Sequence, residues 1–427
     1  MADSTRAAVW AAVQADLDQM WDRMVGAEGL DLETAEGIVR EGVQGIGARV
    51  LEAGLAARGT GKTGPRRACA CGAEAVFARY RTKQVQTMLG WITVRRAAYA
   101  CAICGHGHCP LDATLGLQRD SLSPGVRRLT GRFGALLPFA EAATSLAVAA
   151  RVSVSASTVR SVTEGIGAHY ERQVATAITT AWAHGLPAVT TGPARAYVAM
   201  DGIRILGTDG AGHEVKVGIV RPGQRDDRAP SSAARYVAGL EPAAAFGPRL
   251  ALAAHQQAIP AATRLAVLGD GAEWIWNLAA EHFPTAVQIV DWFHASERIW
   301  EFGRALHGIA TPETTAWVEV QLARLAQGQA ATLATEWQAL PCQGEAATIR
   351  DAQVTYFTNQ ATRMAYDRYR AEGWDIGSGM VESACKRLIG VRHKGPGMRW
   401  SPTGAQAVAA VRVLLFNHQW DSYALVA

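Results

Sequence analysis

The sequence predicts a multidomain α/β protein, in which a small cysteine-rich unit and helical segments precede an α/β domain. A chain of 427 residues is long enough for about three domains. Its composition, 49% hydrophobic and 19% charged residues, is that of a globular protein that buries sizeable cores. Strand-like apolar runs separated by turns and helices occur between residues 195 and 300, whereas the flanking segments show helical periodicity.

The predicted elements divide the chain into six segments. Apolar residues repeat at helical spacing up to residue 58, a glycine-rich linker follows, and two cysteine pairs then mark a small unit of short strands. The six segments are an N-terminal helical region 1–58, a cysteine-rich unit 66–110, a second helical region 120–175, the first part of the α/β core 195–297, a helical segment 298–370, and a C-terminal part 371–427 that ends in a basic tail.

The sequence shows no signal for a membrane or for secretion. No stretch of about 18 residues lacks a charged or polar break, so we expect no membrane span. The N-terminus lacks the basic-then-apolar order of a secretory signal, which favours the cytoplasm. In that compartment the seven cysteines are not expected to form a disulfide framework.

The charge is distributed unevenly along the chain. Residues 59–135 hold 12 basic and 3 acidic side chains, net +9, and residues 384–427 hold 6 and 1, net +5. Either block alone is equally consistent with ordinary solvated surface charge. Two such blocks after an acidic N-terminal region favour a polyanionic partner, nucleic acid first.

Two close cysteine pairs, Cys69-Ala-Cys71 and Cys101-Ala-Ile-Cys104, predict a structural zinc site. Two thiolate knuckles on adjacent hairpins are the arrangement that tetrahedral Zn²⁺ requires, and a unit this small is expected to need such a staple. The alternative is a set of reduced, partly buried cysteines. His106, His108 and Cys109 are near enough to replace a ligand. The cations around the unit, expected to contact DNA phosphates, are Arg66, Arg67, Arg79, Arg81, Lys83, Arg95 and Arg96.

Residues 139–147 and 152–160 fit a short helix, a turn and a second helix that begins at Ser155 or Ser157. The second helix would carry Thr158 and Arg160 outward, where small polar and basic side chains suit contacts to phosphates and base edges. Two packed helices with no DNA role give much the same sequence. The basic block just before them is what favours a helix-turn-helix.

Three apolar strands of the α/β segment are each followed by an aspartate, in Asp201-Gly202, Asp270-Gly271 and Asp291. Ligands bind at the carboxyl ends of strands in open α/β sheets, so we expect the three carboxylates at one rim of the sheet. Turn aspartates are common, but three in one domain favour a shared site.

A fourth carboxylate, Glu382, follows the Gly-Ser-Gly run 377–379, which lets the chain turn and caps a helix. The alternative role for Glu382 is an i,i+4 ion pair with Lys386. Two aspartates on neighbouring strands and a glutamate on a later helix can hold two Mg²⁺ ions for phosphoryl transfer. The predicted apolar stripe of the helix is Val381, Cys385, Leu388 and Ile389. The cations after Glu382, where DNA phosphates would lie, are Lys386, Arg387, Arg392, Lys394 and Arg399.

Four blocks of the sequence resemble DDE transposases of bacterial insertion sequences, most closely the ISKra-type group and more distantly the ISL-type and mutator-like enzymes. The blocks are Asp201-Gly202, residues 268–276, residues 288–297 after Phe283-Pro284, and residues 377–383 with Gly397-Met-Arg-Trp400. The resemblance covers roughly residues 66–420. It implies an RNase H-like core, an all-helical insertion over 298–370, and a Mg²⁺-binding catalytic triad of Asp201, Asp270 and Glu382.

Asp291 and His294 match a block in which mutator-like relatives have Cys-x-x-His. This sequence has Asp-x-x-His in place of Cys-x-x-His, which leaves open whether Asp270 or Asp291 is the second metal ligand. We favour Asp270, with Asp291 and His294 as supporting residues near the active site.

The resemblance implies a transposase that binds terminal inverted repeats, frees 3′-OH ends by hydrolysis and joins them to target DNA. It implies two Mg²⁺ ions, or Mn²⁺, a structural Zn²⁺, at least a homodimer with residues 1–58 as an interface, and a place in the bacterial cytoplasm at the nucleoid. The alternatives are a nuclease of the same fold that cuts without joining, a non-catalytic DNA-binding protein derived from a transposase, and a metallo-enzyme acting on small molecules. The presence of all three carboxylates argues against a non-catalytic DNA-binding protein. The basic blocks argue against an enzyme that acts on small molecules.

Overall fold

The computed structural model describes residues 2–223, 234–377 and 379–424, with side chains from residue 6 onward. The chain is a mixed α/β protein with two β-sheets. It divides into two compact units, one reaching Ile166 and including Ala424, the other Gly167–Tyr423, and the division falls inside a long helix. None of the described helices combines the length and the apolar character that a membrane crossing requires.

The first unit begins with two long helices, α1 (Ala2–Val25) and α2 (Leu32–Ala57), as the apolar periodicity predicts. They pack against each other, and an ion pair of 2.8 Å between Arg49 of α2 and Asp16 of α1 joins them. The acidic residues of the N-terminal region therefore lie on two helices, α1 and α2, that pack against each other.

A four-stranded antiparallel sheet follows. Its strands are β1 (Arg66–Ala68), β2 (Glu74–Thr87), β3 (Gly90–Cys101) and β4 (Gly107–His108). The sequence predicts short strands here, but β2 and β3 form one long hairpin, paired from Ala75 opposite Cys101 to Thr87 opposite Gly90. Charged residues interrupt the apolar runs of both strands, at Arg79, Arg81 and Lys83 in β2 and at Arg95 and Arg96 in β3, so the runs are shorter than the strands.

The hairpin contributes to an apolar core at each of its ends. One core lies beside the cysteines and contains Ala75, Ala97 and Tyr99. The other core joins the far end of the hairpin to α2; its members include Val85, Ile92, Val94, Leu51 and Leu55. The sheet is thus stabilised by burial against a neighbouring helix as well as by its cysteine end.

Helices make up the rest of this unit. They are α3 (Pro110–Leu115), α4 (Pro124–Leu136), α5 (Phe139–Ala150) and the first part of α6 (Ala156–His184). The helix start predicted at Ser155 is confirmed, because its Oγ accepts a hydrogen bond from the backbone N–H of Thr158 at 3.1 Å. Ser123 caps α4 in the same way.

The second unit is built on a five-stranded sheet in the order β7-β6-β5-β8-β9. Its strands are β5 (Arg195–Leu206), β6 (Gly212–Pro222), β7 (Arg235–Gly239), β8 (Arg264–Gly269) and β9 (Val287–Val290). β5, β6 and β7 pair antiparallel in succession, whereas β8 and β9 run parallel to β5. Apolar runs over residues 196–200, 215–220, 265–268 and 287–290 predict β5, β6, β8 and β9, whereas the apolar run of β7 is too short to predict a strand.

Helices cover both faces of this sheet, so its central strands are continuously buried, as at the adjacent Val198 and Ala199 of β5, which face opposite sides. The covering helices include α7 (Ala243–Gln256), α8 (Glu273–His282) and the C-terminal α16 (Pro402–Phe416), most of which is buried. Short 3₁₀ turns lie at Ile259–Ala261 and Ala361–Arg363.

A helical segment follows β9. It contains α9 (Trp292–His307), α10 (Pro312–Ala326), α11 (Ala330–Gln338), α12 (Gly344–Gln360) and α13 (Tyr366–Ala371). Edge-to-face aromatic contacts among Phe302, Trp337 and Phe357 form its core. These helices lie between the sheet and the glutamate helix in the chain, as the sequence predicts.

Glu382 lies on α14 (Gly379–Ala384), which continues into a π-helical segment, Cys385–Gly390, and then α15 (Val391–His393). The predicted apolar stripe of this region is buried. Ser378 of the Gly-Ser-Gly run lies outside the described residues, and the helix begins at Gly379. The buried guanidinium of Arg412 on α16 donates to the carbonyls of Arg387 and Leu388, which the wider π-helical turn presents to it.

Candidate functional site

Asp201 lies inside β5, not at its end as the sequence predicts. β5 continues to Leu206 because β6 pairs with it along its whole length, whereas its parallel register with β8 stops at Ala199. Asp201 is therefore just beyond the carboxyl end of β8, and Asp270 directly follows β8. Both half-buried carboxylates still come to one rim of the sheet. Burial and, to a smaller extent, the charge of Asp270 raise the pKa of Asp201.

The turn that carries Asp270 is held by α12. The Tyr356 hydroxyl donates to the carbonyl of Asp270 at 2.7 Å, and the side-chain amide of Gln360 donates to the carbonyl of Gly271 at 3.0 Å. Gly271 has a φ of +101°, and a Cβ there would lie 2.6 Å from the Tyr356 ring. Sequence reasoning missed Tyr356 and Gln360, because nothing in a helical pattern shows which distant loop the helix will touch.

Asp291 follows β9 and caps α9. Its side chain is 0% exposed, and its Oδ1 accepts hydrogen bonds from the backbone N–H of His294 at 2.9 Å and from His294 Nδ1 at 3.1 Å. The hydrogen bond to Asp291 raises the pKa of His294 to about 9, and the charges of Asp270 and Asp201 act in the same direction. The surrounding carboxylates therefore favour a positive charge at this position, which a proton on His294 supplies in the absence of a bound metal ion.

Backbone contacts bring the segment before Glu382 to the same rim. The N–H of Trp292, at the start of α9, donates to the carbonyl of Ile376 at 2.9 Å, and the N–H of Asp375 donates to the Tyr197 hydroxyl oxygen at 3.1 Å. The segment just before α14 therefore contacts both β5 and α9. The sequence does not predict these contacts, because the partners are far apart in the chain.

Glu382 joins Asp291 and His294 in one group. Their ligating atoms all lie within 4.8 Å of one another, whereas Asp201 and Asp270 belong to no such group among the described residues. The alternative partner, Lys386, has its Nζ 4.0 Å from the Glu382 carboxylate, and its side chain is 79% exposed. This loose pair leaves Glu382 free to serve a ligand.

Cys385 connects the predicted triad. Its thiol is buried and hydrogen-bonds to the Asp201 carboxylate. Burial, followed by the charges of Asp201, Glu382 and Asp270, raises the pKa of this thiol well above its usual range. The charges of all three predicted catalytic carboxylates therefore act on the pKa of one buried thiol. The sequence indicates the burial of Cys385 but gives no sign of its polar contact.

The four predicted zinc ligands come together at the open end of the β2–β3 hairpin and can hold a metal ion. Their Sγ atoms lie within 4.8 Å of one another, with Cys69 3.6 Å from Cys104 and Cys71 3.7 Å from Cys101. Four sulfurs at about 2.3 Å from a tetrahedral Zn²⁺ are about 3.8 Å apart, so the spacing fits this ion. The N–H of Cys104 lowers the pKa of Cys101 to about 7, which favours the thiolate that zinc binds. His106, His108 and Cys109 lie outside the group.

Most of the cations predicted to contact DNA are accessible. Arg79, Arg81 and Lys83 alternate along β2 and share one face, where they line a groove of about 600 Å³ with Arg119, which sequence reasoning did not single out. The other accessible or half-buried members of the predicted set are Arg66, Arg67, Arg95, Thr158, Arg160, Lys386, Arg387, Lys394 and Arg399.

Arg96 and Arg392 do not fit their predicted role as phosphate contacts. Both are buried, at 8% and 2% exposure. The guanidinium of Arg96 donates to Asp112 at 2.8 Å, and that of Arg392 lies over the Trp400 ring, 4.8 Å from its centroid. An enclosed guanidinium stabilises the fold around it and does not reach a phosphate at the surface.

No model of a known protein family matches this chain, and no curated protein matches it. The function is therefore argued from the site itself.

Proposed function

We propose that this protein is a DNA transposase of the DDE type, with an RNase H-like catalytic core formed by β5–β9. The strand order supports this fold: three strands pair antiparallel in succession, and two further strands run parallel to the first of them on its other side. RNase H-like domains have this strand order. The helices α10–α13, between β9 and Glu382, correspond to the all-helical insertion that the sequence resemblance implies.

One observation carries the proposal: Asp201 and Asp270 lie at one rim of the sheet, and the helix that carries Glu382 packs against β5, the strand that holds Asp201. Acidic side chains repel one another, so their convergence at one rim raises the free energy of the fold unless a cation or a proton offsets it. Such an arrangement is expected where a ligand of opposite charge completes the site.

The donor set fits Mg²⁺, or Mn²⁺, held as two ions by Asp201, Asp270 and Glu382, since carboxylate oxygens are the ligands these ions prefer. Asp270 suits the second position better than Asp291, because Asp291 is completely buried and its Oδ1 already serves His294. When bound, the ions supply the positive charge that stabilises the attacking and leaving oxygens of a phosphodiester.

The chain's own residues would hold the DNA against this rim. Lys386, Arg387 and Lys394 are exposed and follow Glu382 directly, so their charge offsets the repulsion between the carboxylates and DNA phosphates. Tyr356 fixes the turn at Asp270, and the buried Asp291 fixes His294. Positioning and electrostatics of this kind supply most of the rate in phosphoryl transfer.

The zinc unit and the helix-turn-helix would bind the terminal repeats, the former through the basic groove beside β2. Two DNA ends must be held together, so we include a homodimer in the proposal. The helical pair α1 and α2 offers apolar surface for it, with Trp10 54% and Trp21 65% exposed.

The experiment measures whether purified protein with Mg²⁺ cleaves the DNA ends of the insertion sequence that encodes it and joins them to target DNA. Glu382→Gln removes the charge and keeps the size of the side chain, so we expect end cleavage to fall by about 100-fold or more while DNA binding persists. The matched control is Glu319→Gln, at an exposed position of α10. Asp201→Asn and Asp270→Asn should be as inactive as Glu382→Gln, and Asp291→Asn should retain more activity.

Wild-type cleavage by Glu382→Gln would remove the triad assignment. Cleavage without joining to target DNA would identify a nuclease of the same fold, and DNA binding without cleavage would identify a non-catalytic DNA-binding protein.

A further inference from the structure

A nitrogen donor lies among the carboxylates of the site. The ligating atoms of Asp291, His294 and Glu382 fall within 4.8 Å of one another, so one metal ion with bonds of about 2.1 Å can reach both His294 and Glu382 after small side-chain rotations. This group differs from the predicted triad in its donor chemistry, because it offers imidazole nitrogen beside carboxylate oxygen.

His294 is oriented as a metal-binding histidine is. A carboxylate can only accept a hydrogen bond, so Nδ1 of His294 carries the proton in its 3.1 Å contact with Asp291. Within the described residues Nε2 has no hydrogen-bond partner, and the side chain is 29% exposed. Metal-binding histidines usually donate one ring N–H to a carboxylate, a carbonyl or water and bind the ion through the other nitrogen. The contact of Nδ1 with Asp291 leaves Nε2 of His294 for this role.

Asp291 is the positioning residue of this pair. Its side chain is inaccessible to solvent, and its Oδ1 is occupied by two hydrogen bonds from His294. Glu382, by contrast, is 33% exposed and its carboxylate has only the loose contact with Lys386. The groups available to an ion are therefore His294 Nε2 and the Glu382 carboxylate.

We propose that His294 Nε2 and Glu382 bind a divalent transition-metal ion, with Asp291 orienting the imidazole. Imidazole nitrogen suits transition-metal ions, among which Mn²⁺ binds most weakly, whereas Mg²⁺ retains oxygen ligands and water. This inference rests on the proposed function for the metal at Glu382, and it makes that position selective for Mn²⁺ over Mg²⁺.

The test is pulsed electron paramagnetic resonance of Mn²⁺ bound to the untagged, zinc-loaded protein without DNA. We expect modulation from a directly bound ¹⁴N in the wild type and its loss in His294→Gln, with Mn²⁺ affinity reduced at least tenfold. The matched control is His213→Gln, because His213 also has an aspartate partner, Asp209, but lies outside the group. Its ¹⁴N signal should equal that of the wild type.

A second measurement needs no variant: ¹⁵N-labelled histidine in the wild type should change the modulation to the ¹⁵N pattern. Bound Mn²⁺ without nitrogen modulation, or modulation that persists in His294→Gln, would overturn the inference. Cleavage of DNA ends without nitrogen coupling leaves the proposed function standing and removes this site. Nitrogen coupling without any end cleavage would support this metal site and contradict the proposed transposase activity.

Discussion

The thiol of Cys385, one residue beyond the helix that carries Glu382, hydrogen-bonds to the carboxylate of Asp201 in the middle of β5. This contact joins the last part of the second unit to its first strand. It also places a neutral donor, rather than a charge, against a half-buried member of the proposed triad. Because the pKa of the thiol is raised, it remains protonated at neutral pH and acts as a donor to Asp201.

Removing this donor should destabilise the second unit. We expect Cys385→Ala to lower the free energy of unfolding by about 2 kcal/mol, since a hydrogen bond to a carboxylate is lost inside the protein. Cys385→Ser keeps a donor of similar size and should cost less than about 1 kcal/mol. Urea unfolding measures both, with Cys342→Ala as the control. Equal losses in the Ala and Ser variants would show that packing, not the hydrogen bond, makes the contribution.

The turn after β8 gives a second prediction. Gly271→Ala should lower the free energy of unfolding by about 2–4 kcal/mol, because the new Cβ meets the Tyr356 ring in addition to the strain of a positive φ. Gly210 has a φ of +82° and open space around it, so Gly210→Ala carries the strain alone, about 1 kcal/mol. Thermal or urea unfolding of the pair isolates the contact with Tyr356. Similar losses of unfolding free energy in Gly271→Ala and Gly210→Ala would contradict a contribution from Tyr356.

Purified protein should contain about one Zn²⁺ per chain. Cys101→Ser together with Cys104→Ser leaves only two thiolates of the four, so elemental analysis should find the metal lost and DNA binding weakened. Cys109→Ser is the control, since Cys109 lies outside the cluster, and it should keep its zinc. Freshly purified, reduced wild-type protein without zinc would end this interpretation.

DNA affinity should fall steeply with salt. If the groove beside β2 holds phosphates, Arg79→Ala and Arg81→Ala should each lower the slope of log affinity against log salt by about 0.9. Arg324→Ala is the matched control, because its guanidinium is already paired with Glu336 at 2.7 Å. An unchanged slope in the groove variants would show that their charge does not contact DNA.

Several features could be predicted from the sequence because they depend on residues close together in the chain. The cysteine pairs define two knuckles, Ser155 caps its helix through the next turn, and apolar runs predict β5, β6, β8 and β9. The aspartates that follow β8 and β9 lie where the pattern places them. Spacing of this kind is set by local backbone geometry, which the order of residues specifies directly.

The tertiary structure decided the features that depend on distant partners. Asp201 lies inside its strand because β6 pairs along the whole of β5, and no property of β5 alone shows where its neighbour ends. Arg96 is buried because Asp112 lies against it, although its sequence context is that of a surface cation. Glu382 meets His294, and Cys385 meets Asp201, only after the sheet and its helices have packed. Local patterns determine which elements form, whereas burial, pairing and the approach of charges depend on the free energy of contacts that exist only in the folded chain.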